Sequence, residues 1–239
     1  MPKPLKITSA DHFGALLQGL ANDIVDANIH FRLFQDLNES IAEYCTELNQ
    51  SPTFWNLTIS AQLDAALIRL CRAFDSQQSA LSLSTWLATI ASNLEIFDTP
   101  NFKERLSDNP FVESLASEDR RPSKDQLDKD SALASSRDPL VKKLLRWRNN
   151  VVAHRSPLET ISPSSAAGSP LELDKIKALL KRAHELLDRY SQLFQAVTHS
   201  TSMIGADDYK YVLKSIRDSV TESKREFDEE MAKYGEESP

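Results

Sequence analysis

The chain has 239 residues, of which 41% are hydrophobic and 26% charged, as expected for a globular protein of one large domain or one domain with an appendage. Its formal net charge of -7 argues against binding nucleic acid over the whole surface, because such binding needs an excess of Lys and Arg. Only 5 glycines are present, fewer than an α/β enzyme with phosphate-binding loops usually contains.

The cysteines and the N-terminal segment indicate the cellular compartment of the protein. Cys45 and Cys71 both fall in helix-like segments and form neither a disulfide framework nor a paired-cysteine metal motif, which favours a reducing compartment. The N-terminal segment lacks the apolar core of a signal peptide, and no apolar run approaches the roughly 18 residues of a membrane span. We therefore expect a cytoplasmic protein with no membrane partner.

Apolar residues recur at helical spacing in the first hundred residues, and no segment alternates as a strand would. The first predicted helix begins near Ser9, passes through Leu48 with a possible kink, and ends before Ser51-Pro52. The second runs from about Thr53 to Phe74, and the third from about Leu83 to Phe97.

The remainder of the chain is also predicted to be helical. Residues 98–138 are a mixed connector with short helices near 101–106 and 125–134. Longer helices follow at about 139–155, 171–198 and 207–233. These elements predict an all-α fold in which an up-and-down bundle covers residues 9–198 and a charged helix with a tail covers 199–239.

The stretch WRNNVVAHR, from Trp147 to Arg155, places polar residues inside the fourth long helix. Arg148 and His154 extend two apolar rows of that helix, so both are expected to face an interface. The surrounding segment 139–158 contains five basic residues and no acidic one. Those basic residues are Lys142, Lys143, Arg146, Arg148 and Arg155.

The residues alone leave two interpretations of this stretch. In the structural one, Arg148 pairs with an internal carboxylate and His154 interacts with the last helical carbonyls. In the functional one, the guanidinium grips a phosphate bidentately and the imidazole transfers a proton near neutral pH.

At these residues the sequence resembles the HEPN superfamily, whose signature is an Arg, a polar residue and a His after four to six intervening residues. Here the motif runs from Arg148 through Asn149 to His154, with five intervening residues. Three segments in order, FWNLTISAQLDAALIRLCRAFD, LSLSTWL and LLRWRNNVVAHR, resemble the abortive-infection subgroup of that superfamily.

The resemblance implies a helical bundle that homodimerises and brings two motifs together across a shared cleft. It further implies a metal-independent endoribonuclease without a cofactor, acting in a toxin–antitoxin or antiphage abortive-infection system. Arg148 would hold the scissile phosphate, and His154 would act as general base or acid. Asn149 would orient the phosphate or His154. The alternative is a non-catalytic dimerisation module that binds a protein partner or a nucleotide.

Further residues are predicted to support this site. HEPN domains often carry an acidic or polar residue on an earlier helix near the Arg, and Asp64 is the candidate here, although a structural salt bridge to Arg69 or Arg72 would also explain it. Asn150 lies one turn before His154 and is a second orienting candidate. The predicted RNA-binding residues are Lys142, Lys143, Arg146, Arg155, Arg69 and Arg72.

Two further expectations concern ligands and partners. The five histidines are scattered along the chain, so no metal site is predicted. A cognate antitoxin or another defence protein is a possible partner, and the charged segment after Asp207 either docks it or forms a solvated tail. We favour the tail, because its end, REFDEEMAKYGEESP, is rich in acidic residues.

Overall fold

The structure, a computed structural model, describes residues 2–149 and 171–236. Within these two ranges the chain forms helices and loops and no strand, which confirms the all-α prediction. None of the helices there is long and apolar enough to cross a membrane.

The helices have the following bounds. They are α1 (Ala10–Glu39), α2 (Cys45–Leu48), α3 (Pro52–Ala73), α4 (Leu83–Ala91), a 3₁₀ helix (Leu94–Phe97), α5 (Thr99–Arg105), α6 (Val112–Leu115), α7 (Lys124–Ala134), α8 (Pro139–Trp147), α9 (Leu173–Gln195) and α10 (Tyr209–Glu236).

Contacts divide the chain into two compact units. Unit 1 comprises Met1–Asn28 and Ala65–Thr201, and unit 2 comprises Ile29–Asp64 and Ser202–Pro239. Helices α1 and α3 each contribute to both units. The division predicted from the sequence, with a bundle at 9–198 and an appendage at 199–239, stays a prediction.

An aromatic cluster lies at the centre of unit 1. The ring of Phe13 packs 4.7 Å from that of Phe194 and 5.9 Å from that of Trp86, centroid to centroid, and Trp86 meets Tyr190 edge-on at 5.7 Å. All four side chains are at most 2% exposed. Burial of such large rings is a main source of the unit's stability.

A buried polar network joins α7 to α9 in the same unit. Asp130 is 1% exposed and accepts hydrogen bonds from Arg189 at 2.6 Å and from the Tyr190 hydroxyl at 2.7 Å. Burial and the neighbouring Asp130 carboxylate raise the pKa of Tyr190 far above its ordinary value, so Tyr190 stays a donor. The network satisfies a carboxylate that would otherwise be costly to bury.

In unit 2, the first predicted helix is broken. It was expected to continue through Leu48, but α1 ends at Glu39 and the short α2 follows. Ser40 donates its hydroxyl to the Asp36 carbonyl at 2.8 Å, where the chain turns. The apolar periodicity persists because Tyr44 and Leu48 pack in the same cluster as Leu37 of α1.

The third predicted helix is also shorter than expected. Helix α4 ends at Ala91, where the Asn93 amide donates to the Thr89 carbonyl at 2.8 Å, and a 3₁₀ turn completes the predicted range. Both short helices expected in the connector are present as α5 and α7, and α6 was not predicted.

The segment after α9 runs back along that helix. Ala196 ends α9 in the left-handed region at φ 55°, and His199 then donates its backbone N–H to Asp188 at 2.9 Å. His184 Nε2 lies 2.6 Å from the His199 carbonyl. The fold thus brings together two histidines that are 15 residues apart in sequence.

Candidate active site

Helix α8 carries the motif arginine and is fixed at its start by Asp138. This carboxylate caps the helix by accepting from the N–H groups of Leu140 at 2.9 Å and Val141 at 3.1 Å, and it accepts from Arg182 of α9 at 2.9 Å. Val141, Leu144 and Leu145 bury the inner face of the helix. Cap and core together set the direction in which α8 presents its last turn.

Arg148 lies at that last turn. The regular helix ends at Trp147, and Arg148 and Asn149 continue it with π-helical geometry. Such turns are rare in proteins and frequently occur at functional sites. The change of geometry begins at the first residue of the HEPN-like motif.

The Arg148 guanidinium is half-buried and held by two oxygen atoms. Its Nη1 lies 3.1 Å from Asp75 Oδ1, and the two side chains are 24% and 22% exposed. Its Nε donates to Asn149 Oδ1 at 3.1 Å. The ion pair with Asp75 is what the structural interpretation of Arg148 predicts, in which the guanidinium pairs with an internal carboxylate.

Asp75 is itself fixed just after the end of α3. Its Oδ1 also accepts from the backbone N–H of Gln77 at 3.1 Å, which holds the carboxylate in place. A carboxylate with two donors keeps its orientation more firmly than one with a single donor. The position of the Arg148 side chain is thereby set by groups just beyond the ends of α3 and α8.

Cys71 is a buried neighbour of this pair and is 4% exposed. Burial raises the pKa of its thiol to about 12; the charge of Arg148 opposes this effect and that of Asp75 adds to it. A thiol in this state is a weak nucleophile. Cys71 thus fills space beside the site.

Two further ion pairs join α3 to α1 along the same edge of α3. Arg69 Nε lies 3.3 Å from Asp26 Oδ2, and Arg72 Nη1 lies 3.2 Å from Asp23 Oδ1. Burial raises the pKa of Asp23, while Arg72 and Arg69 counteract that rise. Arg69, Arg72 and Asp75 follow each other at three-residue intervals, so they form a polar ridge.

Asp64, predicted to support the site, is not the carboxylate that pairs with Arg148. The carboxylate beside Arg148 belongs to Asp75, which follows Asp64 by eleven residues, or about three helical turns. Asp64 is exposed, and the partners expected for it, Arg69 and Arg72, pair with Asp26 and Asp23 instead. An exposed carboxylate needs no partner, because water solvates it.

The predicted RNA-binding residues of α8 occupy its outer face. Lys142 and Arg146 are exposed and one turn apart. Lys143 instead pairs with Glu172 at 3.2 Å, and Lys175 reaches the same carboxylate at 2.8 Å. These two lysines, Lys175 more than Lys143, hold the pKa of Glu172 below its ordinary value.

Three of the predicted residues lie outside the part of the chain that the structure describes. They are Asn150, His154 and Arg155. Among the residues it does describe, no group of three or more His, Cys, Asp or Glu side chains is arranged to hold a metal ion.

Comparison with known protein families bears on this arginine site. A family model described as HEPN_AbiU2: AbiU2 matches residues 10–214. The chain belongs to the HEPN_AbiU2 family. This is an abortive-infection HEPN family, so the resemblance inferred from the motif and its three segments is confirmed. Comparison with curated proteins and with solved structures gives no significant match.

The HEPN_AbiU2 match covers every described residue of the site, from Asp23 to Asn149. Asp75 is the residue whose role sequence reasoning missed. Little in the sequence indicates that Asp75 pairs with an arginine, because a carboxylate at a helix end has several common roles, capping among them.

Proposed function

We propose that this HEPN_AbiU2 protein is a metal-independent endoribonuclease that acts in an abortive-infection or toxin–antitoxin system. The observation that carries the proposal is the half-buried guanidinium of Arg148, which lies at the end of α8 and pairs with Asp75. Both residues lie within the range that the family model matches. A planar guanidinium fixed on one edge still offers N–H groups to phosphate oxygens. This geometry supports a phosphate site better than a freely rotating surface arginine would.

The proposed reaction is a transesterification within the RNA. The ribose 2′-OH attacks the adjacent phosphorus, and the bond from phosphorus to the 5′-oxygen of the next nucleotide breaks. The products carry a 2′,3′-cyclic phosphate and a 5′-hydroxyl. One proton leaves the 2′-OH and one reaches the departing oxygen, so the step is balanced without a further reactant.

Each motif residue has a proposed part in this step. Arg148 stabilises the negative charge that grows on the phosphate oxygens in the transition state. His154 takes the proton of the 2′-OH or supplies one to the leaving oxygen, and such transfers contribute about 10²–10⁴ in rate. Asn149, already bonded to Arg148 Nε, orients the guanidinium, and Asn150 orients the phosphate or His154.

The proposed substrate contacts extend along the two helices that frame Arg148. Lys142 and Arg146, one turn apart on α8, would neutralise neighbouring phosphates, and Lys143 and Arg155 are the other basic residues of segment 139–158 proposed for this role. Arg72 is 65% exposed and Arg69 31%, so the ridge of α3 offers a second line of cations. Within a homodimer, the motifs of two copies would share one cleft.

The alternative is a non-catalytic module that dimerises and binds a protein or a nucleotide. One observation favours it: the ion pair with Asp75 satisfies the Arg148 guanidinium without any phosphate. In this case, replacing His154 or Arg148 would change only the stability of the fold.

A cleavage assay separates the two functions. Wild type, His154→Ala and Arg148→Ala are incubated with varied RNAs in EDTA, and the product ends are mapped. We expect wild type to cleave and to leave cyclic phosphate ends. The cleavage rate of both variants should be lower by about 10²-fold or more. Arg148→Lys should be impaired as well, because it keeps the charge but loses the bidentate fork.

Matched controls are available elsewhere in the chain. His12→Ala and Arg32→Ala remove an exposed histidine and an arginine that is 57% exposed, and both should cleave as wild type does. Activity that survives both motif substitutions would contradict the assigned site. Absence of cleavage by wild type on every RNA would favour the non-catalytic module.

A further inference from the structure

The second half of α10 extends away from the core to which its first half is anchored. Leu213 is fully buried in a cluster with Leu37 and Tyr44, and Arg217 pairs with the buried carboxylate of Glu47. From residue 221 to 233, every side chain is exposed. More than three helical turns of α10 thus project beyond the cluster that holds the helix.

The projecting part carries an apolar stripe. Val220, Phe227 and Met231 are spaced by seven and four residues and share one face of the helix. Phe227 is 60% exposed and Met231 is 55% exposed. The stripe continues that of Leu213 and Ile216, which pack in unit 2. A helix of this length without packing is only marginally stable in water, which favours a partner on this face.

The charges beside the stripe restrict the kind of partner. Residues 218–233 include six acidic and three basic side chains, a net charge of -3. Glu226 and Glu230 lie next to Phe227 and Met231, one turn apart. An RNA or an anionic membrane would be repelled by this surface, and a second copy of α10 would bring the same excess of negative charge.

One of the three basic residues of this segment, Arg225, pairs with two other acids. Arg225 donates to Glu222 at 2.6 Å and to Glu229 at 2.5 Å, and these hydrogen bonds raise its pKa. Both bridges lie on the side of α10 away from the stripe, as the helical spacing requires. Glu226 and Glu230 thus take no part in the Arg225 bridges, and the segment keeps its excess of negative charge.

The stripe also lies outside the catalytic module. The HEPN_AbiU2 match ends at residue 214, before the projecting part of α10 begins. A role for this part is therefore separate from the proposed nuclease and does not depend on it.

We propose that residues 218–233 of α10 form a docking helix for a protein partner with an apolar groove flanked by Lys and Arg side chains. Phe227 and Met231 enter the groove, while Glu226 and Glu230 meet the basic flank. Helix-in-groove recognition of this kind relies on apolar anchors one turn apart, and charge complementarity selects the partner. The tail favoured from composition alone is, on this proposal, a recognition element.

A model partner tests the proposal with the full-length chain. The probe is a fluorescein-labelled helical peptide with leucines on one face and lysines on both flanks, and the matched control peptide has glutamates in place of the lysines. We expect the lysine peptide to bind by anisotropy and the glutamate peptide to bind at least about tenfold more weakly. Added salt should weaken the complex, because the flanking charges are exposed.

Variants of the chain locate the binding site. The double variant Phe227→Ser/Met231→Ser should lose at least about tenfold in affinity, and Glu226→Lys/Glu230→Lys should transfer the preference to the glutamate peptide. Phe111→Ser is the matched control: Phe111 is 68% exposed in unit 1, so its loss should leave binding unchanged. Far-UV circular dichroism checks that each variant keeps its helices.

Several outcomes would overturn the proposal. Equal binding of both peptides, or binding that survives the double variant, would show that α10 does not select a basic groove. Failure of the lysine peptide to bind would also contradict the proposal. If sedimentation shows self-association that the double variant abolishes, the occupant is a second copy of the chain and not a basic partner.

Discussion

The ion pair between Arg148 and Asp75 gives the guanidinium a fixed partner before any substrate binds. Each side chain is about three-quarters buried, so the pair is screened less by solvent than a surface bridge is. A phosphate that binds Arg148 must approach the edge that Asp75 leaves free. We therefore regard Asp75 as a positioning residue that decides which guanidinium N–H groups face the substrate.

Replacement of Asp75 tests this role. Asp75→Asn keeps the shape but removes the charge, and we expect kcat for RNA cleavage to fall about ten- to a hundredfold because the guanidinium loses its fixed orientation. Asp64→Asn, on the exposed part of α3, should cleave as wild type does. A rise in activity of Asp75→Asn would instead mean that Asp75 competes with phosphate for Arg148.

The two cysteines should differ sharply in reactivity. With a pKa of about 12, the Cys71 thiol is ionised in roughly one molecule in ten thousand at pH 8, and it is also buried. Cys45 is exposed. We expect iodoacetamide to modify Cys45 and to spare Cys71 in the folded protein, as peptide mass mapping would show. Equal labelling of both would contradict the packing described around Arg148.

At the scale of the elements, the start of α8 links stability to pH. Burial alone would raise the pKa of Asp138, but the hydrogen bonds from Arg182 and from the N–H groups of Val141 and Leu140 outweigh it. The pKa in the folded protein is therefore lower than in the unfolded chain. The stability that Asp138 contributes is present above about pH 4 and is lost as pH falls through the folded pKa.

Asp138→Asn isolates this contribution. Asn is also a good N-cap, so the helix start is kept while the titrating charge is lost. We expect the variant to melt at a lower temperature than wild type at pH 7, with the difference shrinking as pH falls toward 3. Thermal melts across that range measure it. A difference that stays constant with pH would show that the charge of Asp138 is not responsible.

Local signals decided which elements could be predicted. The starts of α3 and α8 coincide with Pro52 and Pro139, and proline is tolerated only in the first turn of a helix. The break after α1 was missed because the apolar spacing runs through it. Asp75 could not be assigned, since the sequence does not indicate which carboxylate lies beside Arg148.

At the scale of the whole molecule, the proposed homodimer makes a test of the site possible. If Arg148 of one copy serves His154 of the other, mixing Arg148→Ala with His154→Ala should restore activity, because one of the two sites in each mixed dimer is complete. About a quarter of the wild-type activity is then expected after exchange of subunits. If the mixture shows no recovery, either one copy supplies both residues of a site, or activity needs Arg148 and His154 of both copies.

The exposed end of α10 has a consequence for how the molecule behaves in an electric field or on an ion exchanger. Residues 218–239 contain eight acidic and three basic side chains, so they hold -5 of the formal net charge of -7. The remaining 217 residues are close to neutral, with -2. Most of the net negative charge thus belongs to the C-terminal end, which should dominate the binding of the protein to an anion exchanger.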